Sequence, residues 1–275
     1  GIQLDEDDQH LASSKARTIV SNLSLTVVRG KNLLIMGPSG CGKTSFLRGL
    51  AGIWRPVEGS VKLRPGLSHP TDAADMGEVA VGLRGERDVV HGYSGSRDSV
   101  MFLPQRPYLF MGTLLAQVAY PSECNVDSSQ RVAAVLNKLG LSYLMFEDQL
   151  EDSNMGFEGH STRALGDGSG SREGGSDGRG GLNTPRNWPS VLSPGESQRM
   201  GLARVLYHRP HLAFLDESTS ALSEDAERDV YRALEEAGVT VVTVGHRSSL
   251  TQWHAQVLTF GGPGSGGAWE LSEGN

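Results

Sequence analysis

The stretch that most restricts what this chain can fold into is Gly37–Thr44, GPSGCGKT: a glycine, four residues, then Gly-Lys-Thr. A short apolar run, Leu33-Leu34-Ile35-Met36, leads into it, and a helix-like segment over residues 46–50 follows. Strand, glycine-rich loop and helix in that order are the context in which such a motif cradles phosphate. Backbone N–H groups must converge on phosphate oxygens, and a Cβ would block the approach. The helix that starts there turns its positive end toward the same anion. The candidate cradle is therefore Gly37, Pro38, Ser39, Gly40, Cys41, Gly42, Lys43, Thr44 and Ser45. Lys43 is placed to reach the β- and γ-phosphates of a nucleoside triphosphate, and the Thr44 hydroxyl to face Mg²⁺.

Composition narrows the class further. With 275 residues, 37% hydrophobic, the chain can bury a substantial core. A formal net charge of −7 gives no basic footprint for nucleic acid, so none is expected as a partner. No apolar run approaches the ~20 residues needed to cross a bilayer, and the acidic opening, Asp5–Asp8, does not read as a secretory signal. Two cysteines, Cys41 and Cys124, suggest neither a disulfide framework nor a metal cluster, and point to a reducing compartment. Cys41 reads as a small residue that fits the loop.

Along the chain, residues 1–17 read as a flexible lead-in and 18–275 as one domain. Apolar and polar residues alternate over 18–28, the period of a half-buried strand, and 60–63 reads as another short strand. Residues 64–98 dissolve into Gly, Ser, Asp, Pro and Arg and are expected to be a weakly ordered insertion, with only a hint of a strand at Glu78–Leu83. A buried-strand run resumes at Val100–Leu103, and an amphipathic helix is expected from Asp127 to Leu139, closed by Gly140. Residues 151–186 form a second stretch rich in Gly, Ser and Asp, expected to be disordered. The last third is more regular. Ser193 reads as an N-cap, Pro194 as the first helical residue and Glu196 as the capping-box partner. Then come a buried strand over 211–215, a helix over 223–237, a buried strand over 239–244, and two closing strands over 255–260 and 268–271. Strands alternating with helices imply a largely parallel sheet covered on both faces.

Chemistry collects where those strands end. Asp216 leaves an apolar strand, a position suited to holding Mg²⁺, and Glu217 beside it can accept a proton from a water behind the γ-phosphate. His246 ends the neighbouring strand and should emerge on the same edge as Thr44 and Glu217; it could hydrogen-bond the γ-phosphate and orient the water. Gln105 follows another strand, where its amide could touch Mg²⁺ or the water. The segment Ser193–Gln198 (SPGESQ), opening with Ser193, Pro194, Gly195 and Glu196, is a second exposed helix start, and so a second potential phosphate site. One ATP does not need both starts from one chain. Two chains arranged head to tail use them, each offering its glycine loop to one ATP and its SPGE turn to the other.

Together these motifs resemble the nucleotide-binding domain of ATP-binding-cassette (ABC) transporters, over nearly all of residues 19–260. They occur in the family's order: the Walker A loop at Gly37–Thr44, the Q-loop at Gln105, the signature at Leu192–Glu196, Walker B at Leu212–Asp216 with Glu217, the D-loop at Ser220–Ser223 and the switch His246. The resemblance implies an α/β P-loop NTPase (RecA-like) core with a mainly parallel sheet, an antiparallel β-subdomain, and an α-helical subdomain over about 107–209. It also implies an ATPase using ATP and Mg²⁺, a second nucleotide-binding domain in a homo- or heterodimer, and a transmembrane domain on the same full-length chain. The present sequence is then expected to be a soluble, cytosol-facing fragment of a membrane protein. PQRPYLFMGTL, LDESTSALS and VGHRSSL look like the D subfamily of half-transporters of peroxisomal and lysosomal or ER membranes, closest to its cobalamin transporter branch, with fatty acyl-CoA the other implied substrate class. A soluble ABC ATPase with no membrane domain and a bacterial permease–ATPase fusion are the alternatives. The chain departs from the family pattern in having no aromatic residue before Phe46 to stack on adenine, Ser223 where aspartate is common, and Pro194 within the signature.

Overall fold

A strand buried on both faces needs apolar side chains at consecutive positions, and three runs in this chain supply them: Leu33–Met36, Leu212–Asp216 and Thr240–Val244. In the computed structural model these form the centre of a six-stranded sheet. The structure describes residues 18–54, 60–63, 78–82, 100–123, 128–146, 180–262 and 265–274. In chain order the elements are β1 (Ser24–Val28), β2 (Leu33–Met36), α1 (Lys43–Leu50), β3 (Ser60–Leu63), β4 (Glu78–Gly82), β5 (Val100–Leu103), β6 (Met111–Gly112), α2 (Leu114–Ala119) and α3 (Ser128–Lys138). Then follow α4 (Gly180–Asn183), β7 (Arg186–Asn187), α5 (Trp188–Val191), α6 (Pro194–His208), β8 (Leu212–Asp216), α7 (Glu224–Glu236), β9 (Thr240–Val244), β10 (Gln256–Phe260) and β11 (Trp269–Glu273).

The large sheet runs β11-β10-β2-β9-β8-β5, and every pair is parallel except the closing β10–β11 hairpin. Successive residues of its strands feed two different cores, as the two-residue period of a strand requires. Leu33, Ile35, Phe214, Val242 and Val244 pack with Phe46, Leu47 and Leu50 of α1 and with Leu25 and Val27 of β1. Leu34, Ala213, Leu215 and Val241 face the other way, into a core shared with α3, α6 and α7. This sheet covered on both faces is the expected P-loop core.

A three-stranded antiparallel sheet, β1-β4-β3, lies beside it. Its central strand, Glu78–Gly82, is the one hinted at over Glu78–Leu83 within the stretch 64–98. A five-residue EVAVG run gives only a weak signal when composition is averaged over 35 residues. The rest of that stretch, like 1–17 and 151–179, lies outside the described residues. The strand expected over 18–28 is regular only from Ser24, although Val20 and Leu23 before it are buried.

Helices α2 to α6 fall between residues 107 and 209, the span expected to be helical. Trp188 is the largest fully buried side chain, and its indole N–H donates to Gly112 O at 2.8 Å, which fixes α5 against β6. Helix α6 begins in the anticipated capping box: Ser193 Oγ accepts from the Glu196 amide, and the Glu196 carboxylate accepts from the Ser193 amide. Helix α7 is capped by Ser223, which accepts from Ala226 N, so serine does here what aspartate does elsewhere.

Candidate active site

All four strand ends with candidate chemistry lie side by side. In the order β2-β9-β8-β5, the parallel strands deliver the glycine loop, His246, Asp216-Glu217 and Gln105 to one edge of the sheet.

The loop after β2 depends on its glycines. Gly37, Gly40 and Gly42 have φ of 141°, 73° and 106°, which side chains rarely adopt. Space forbids a Cβ as well: at Gly37 it would lie 2.8 Å from Phe260 O, and at Gly42 2.7 Å from Ile19 Cγ2. Gly42 caps α1 without any side-chain hydrogen bond, so the first amides of the helix remain free for an anion. Lys43 is only 5% exposed, and its ammonium donates to Gly37 O at 3.0 Å and Pro38 O at 2.9 Å. Those carbonyls hold the charge at the mouth of the loop. Cys41 is buried among Gly37 and its neighbours as a small filler.

Thr44 Oγ1 donates to Asp216 Oδ1 at 2.8 Å, joining the ends of β2 and β8. Burial pushes the Asp216 carboxyl above the ordinary carboxylate range, opposed first by the Thr44 hydrogen bond and then by Arg48. A buried carboxylate destabilised by desolvation beside a hydroxyl suits a small hard cation. Mg²⁺ needs only one or two protein oxygens when phosphates supply others, and among the described residues no cluster of three or more His, Cys, Asp or Glu competes as a metal site.

Glu217 follows in a left-handed conformation, φ 48°, with its amide donating to Val244 O at 3.1 Å. This turn aims the carboxylate along the sheet edge, where it is held on both sides. Gln105 Nε2 donates to Oε2 and His246 Nε2 to Oε1, each at 2.8 Å. A carboxylate only accepts, so the proton of the imidazole sits on Nε2. Gln105, Glu217 and His246, singled out separately in the sequence, are thus one contiguous constellation.

The Ser193–Glu196 turn is elsewhere. Among the described residues no hydrogen bond joins it to residues 37–45; its neighbours are Ala221, whose carbonyl would stand 3.1 Å from a Cβ at Gly195, and Tyr143, whose hydroxyl donates to Glu196.

Two polar residues at the back of the site were not singled out in the sequence. Gln198, on the buried face of α6, contacts the backbone of Glu217 and Ala221. Arg247 donates to Leu222 O at 2.8 Å and Ser220 O at 3.1 Å and lies 3.6 Å from the buried Glu227 carboxylate. A polar side chain in a helix or after a strand is ordinarily solvated, and nothing in the local pattern distinguishes these two from that case.

With this geometry established, comparison with known proteins assigns the family. The sequence model of the ABC transporter family matches residues 20–161. The chain belongs to the ABC transporter family. It is an ABC-type ATP-binding domain, of the family whose ATP-binding domains hydrolyse ATP to power transport. It is 37% identical over 267 residues to the Mus musculus protein named lysosomal cobalamin transporter ABCD4, covering 95% of this chain and 34% of that one. Identity to the Arabidopsis thaliana chloroplastic ABC transporter D family member 2 is 36% over 254 residues, 88% of this chain and 32% of that one. With the Homo sapiens ATP-binding cassette sub-family D member 3 it is 32% over 259 residues, 94% and 31%. The chain therefore spans about a third of the length of these relatives. The ATP-bound structure of a bacterial Atm1-family ABC exporter shares the fold, with a TM-score of 0.62 at 21% identity, covering 99% of this chain and 37% of that one. Among the described residues no helix is long and apolar enough to cross a membrane.

Proposed function

We propose that this ABC-family domain is the motor of a D-subfamily half-transporter, and that Glu217 is its general base. The observation that carries this is the Glu217 carboxylate, held between Gln105 and His246 on the edge that also carries Thr44 and Asp216. In the proposed reaction, the amides of residues 37–45 and the Lys43 ammonium take the phosphates of ATP. Glu217 takes a proton from the attacking water, which adds to the γ-phosphorus as the bond to the leaving β-phosphate oxygen breaks. His246 hydrogen-bonds the γ-phosphate and orients the water. Thr44 and Asp216, with Gln105, would hold a Mg²⁺ ion, which would supply charge neutralisation on the phosphates.

Among the described residues no hydrogen bond joins Ser193, Pro194, Gly195 or Glu196 to the Lys43 loop of their own chain, which supports their completing the ATP site of a second nucleotide-binding domain. A membrane domain on the same full-length chain fits the length of the relatives. It also fits an apolar cavity of about 360 Å³ between the edge strand β5 and α6, lined by Pro107, Tyr108, Tyr120 and Gly201. Membrane association, with this domain on the cytosolic side, follows from that reading. A substrate of the cobalamin or fatty acyl-CoA class, and a lysosomal, ER or peroxisomal membrane, are the family-based proposal.

Replacing Glu217 by Gln in the full-length protein should lower ATP turnover about 10²–10⁴-fold, the usual worth of a general base, while ATP still binds. Near-wild-type turnover would overturn the assignment.

A further inference from the structure

We infer that Gln198 is a positioning residue for hydrolysis: its carboxamide ties α6, with the Ser193–Gly195 turn at its start, to the backbone that aims Glu217. This rests on the proposed role of Glu217. Gln198 stands in the second turn of α6 and is 5% exposed. Its Nε2 donates to Ser220 Oγ at 3.0 Å and Glu217 O at 3.2 Å, with a longer contact to Gln105 O at 3.5 Å. Its Oε1 accepts from Ala221 N at 2.8 Å. Chemistry fixes the amide's orientation: an amide N–H can only donate and a carbonyl can only accept, so oxygen faces Ala221 and nitrogen faces Glu217. One side chain thus reaches the loops that leave β5 and β8.

The contact to Glu217 matters most. That residue holds a left-handed backbone, a conformation that persists only when its surroundings over-determine it. Its amide is held by Val244 O, and its carbonyl accepts from both the Ser220 amide and Gln198. Without Gln198 that carbonyl keeps only the Ser220 amide, and the turn that holds the carboxylate within reach of Gln105 and His246 is less firmly fixed. The 220–222 turn is gripped similarly, by Gln198 on one side and by Arg247, which donates to Ser220 O and Leu222 O, on the other. Gly195 meets the same turn, where a Cβ would stand a tight 3.1 Å from Ala221 O. Displacement of the start of α6 is therefore transmitted directly to Glu217. In a pair of chains, the Ser193 turn attends one ATP and Glu217 the other, so Gln198 is a rigid connection between the two.

The test uses the full-length protein, with Gln198→Leu and the isosteric Gln198→Glu, which still accepts from Ala221 N but cannot donate to Glu217 O. Both should lower kcat about ten- to hundredfold, the scale of an ångström-size misplacement, with KM for ATP within about threefold. Val135→Ala, a cavity in the helical core away from the site, should lower Tm with kcat unchanged, which separates destabilisation from positioning. If the Gln198→Leu protein does not fold, the Gln198→Glu protein carries the test alone. A kcat within twofold of wild type, or a rise in KM with kcat maintained, overturns the inference while the role of Glu217 stands. A Glu217→Gln protein with near-wild-type turnover, measured in parallel, removes both.

Discussion

Acid should loosen this domain through one buried imidazole. His254 is 2% exposed and follows the 3₁₀ turn at Ser248–Trp253. Its Nδ1 lies 2.7 Å from Leu250 O, a group that only accepts, so Nδ1 carries the hydrogen. Nε2 accepts from Thr243 Oγ1 at 3.0 Å, and Thr243 Oγ1 accepts from the Tyr231 hydroxyl at 3.4 Å. The neutral ring is satisfied at both nitrogens. Burial brings its pKa down from 6.5 to about 4, only partly offset by the bond to Leu250. Between those values the unfolded chain binds a proton that the folded chain refuses, so stability falls as pH falls. The loss is about 2 kcal/mol at pH 5 and about 3 kcal/mol at pH 4. Asp216 acts in the opposite sense, because its folded pKa is raised and acid favours its neutral form. The informative quantity is therefore the difference between wild type and His254→Gln. In urea unfolding followed by near-UV circular dichroism, the variant should start less stable at pH 7.5 yet lose about 2 kcal/mol less on transfer to pH 5. Equal losses in the two proteins would refute the argument.

Other substitutions test the site and its support separately. Gly42→Ala forces a side chain into φ 106° and against Ile19, and should weaken ATP binding at least about tenfold in equilibrium titration with little effect on the helical core. Thr44→Val removes the donor to the buried Asp216 and should reduce the Mg²⁺-dependent part of ATP affinity about tenfold, while affinity measured in chelator changes little. Trp188→Ala leaves a large cavity and an unpaired Gly112 carbonyl, and should cost about 3–5 kcal/mol in denaturant unfolding, with ATP affinity of the folded protein retained.

What the sequence made legible was local. The glycine loop, the capping box at Ser193 and Glu196, and the uninterrupted apolar runs of β8 and β9 each carry their signal within a few residues. Parallel pairing then brings Gln105, Glu217 and His246 together once the strand order is known. What escaped was set by distant partners. Strand β4 gives a hint of itself in the sequence, but its place between β1 and β3 gives none. Gln198 and Arg247 acquire their places from backbone atoms of residues 217–222, and a one-dimensional pattern contains no such information. The left-handed turn at Glu217 was equally hidden, since no glycine or asparagine marks it.

Sheet order also governs when the domain can be completed. Strand β2, which carries the phosphate loop, has β9 and β10 as its neighbours, and β9 begins roughly 200 residues later. At ~5–20 residues per second, a ribosome needs roughly 10–40 s to cover that distance. Leu33, Leu34 and Ile35, all fully buried in the finished sheet, have no strand neighbour during that interval. This early-made motif thus waits for strands made much later before it is locked in place. A nascent chain stopped before Thr240 should carry an intact GPSGCGKT segment and no working nucleotide site.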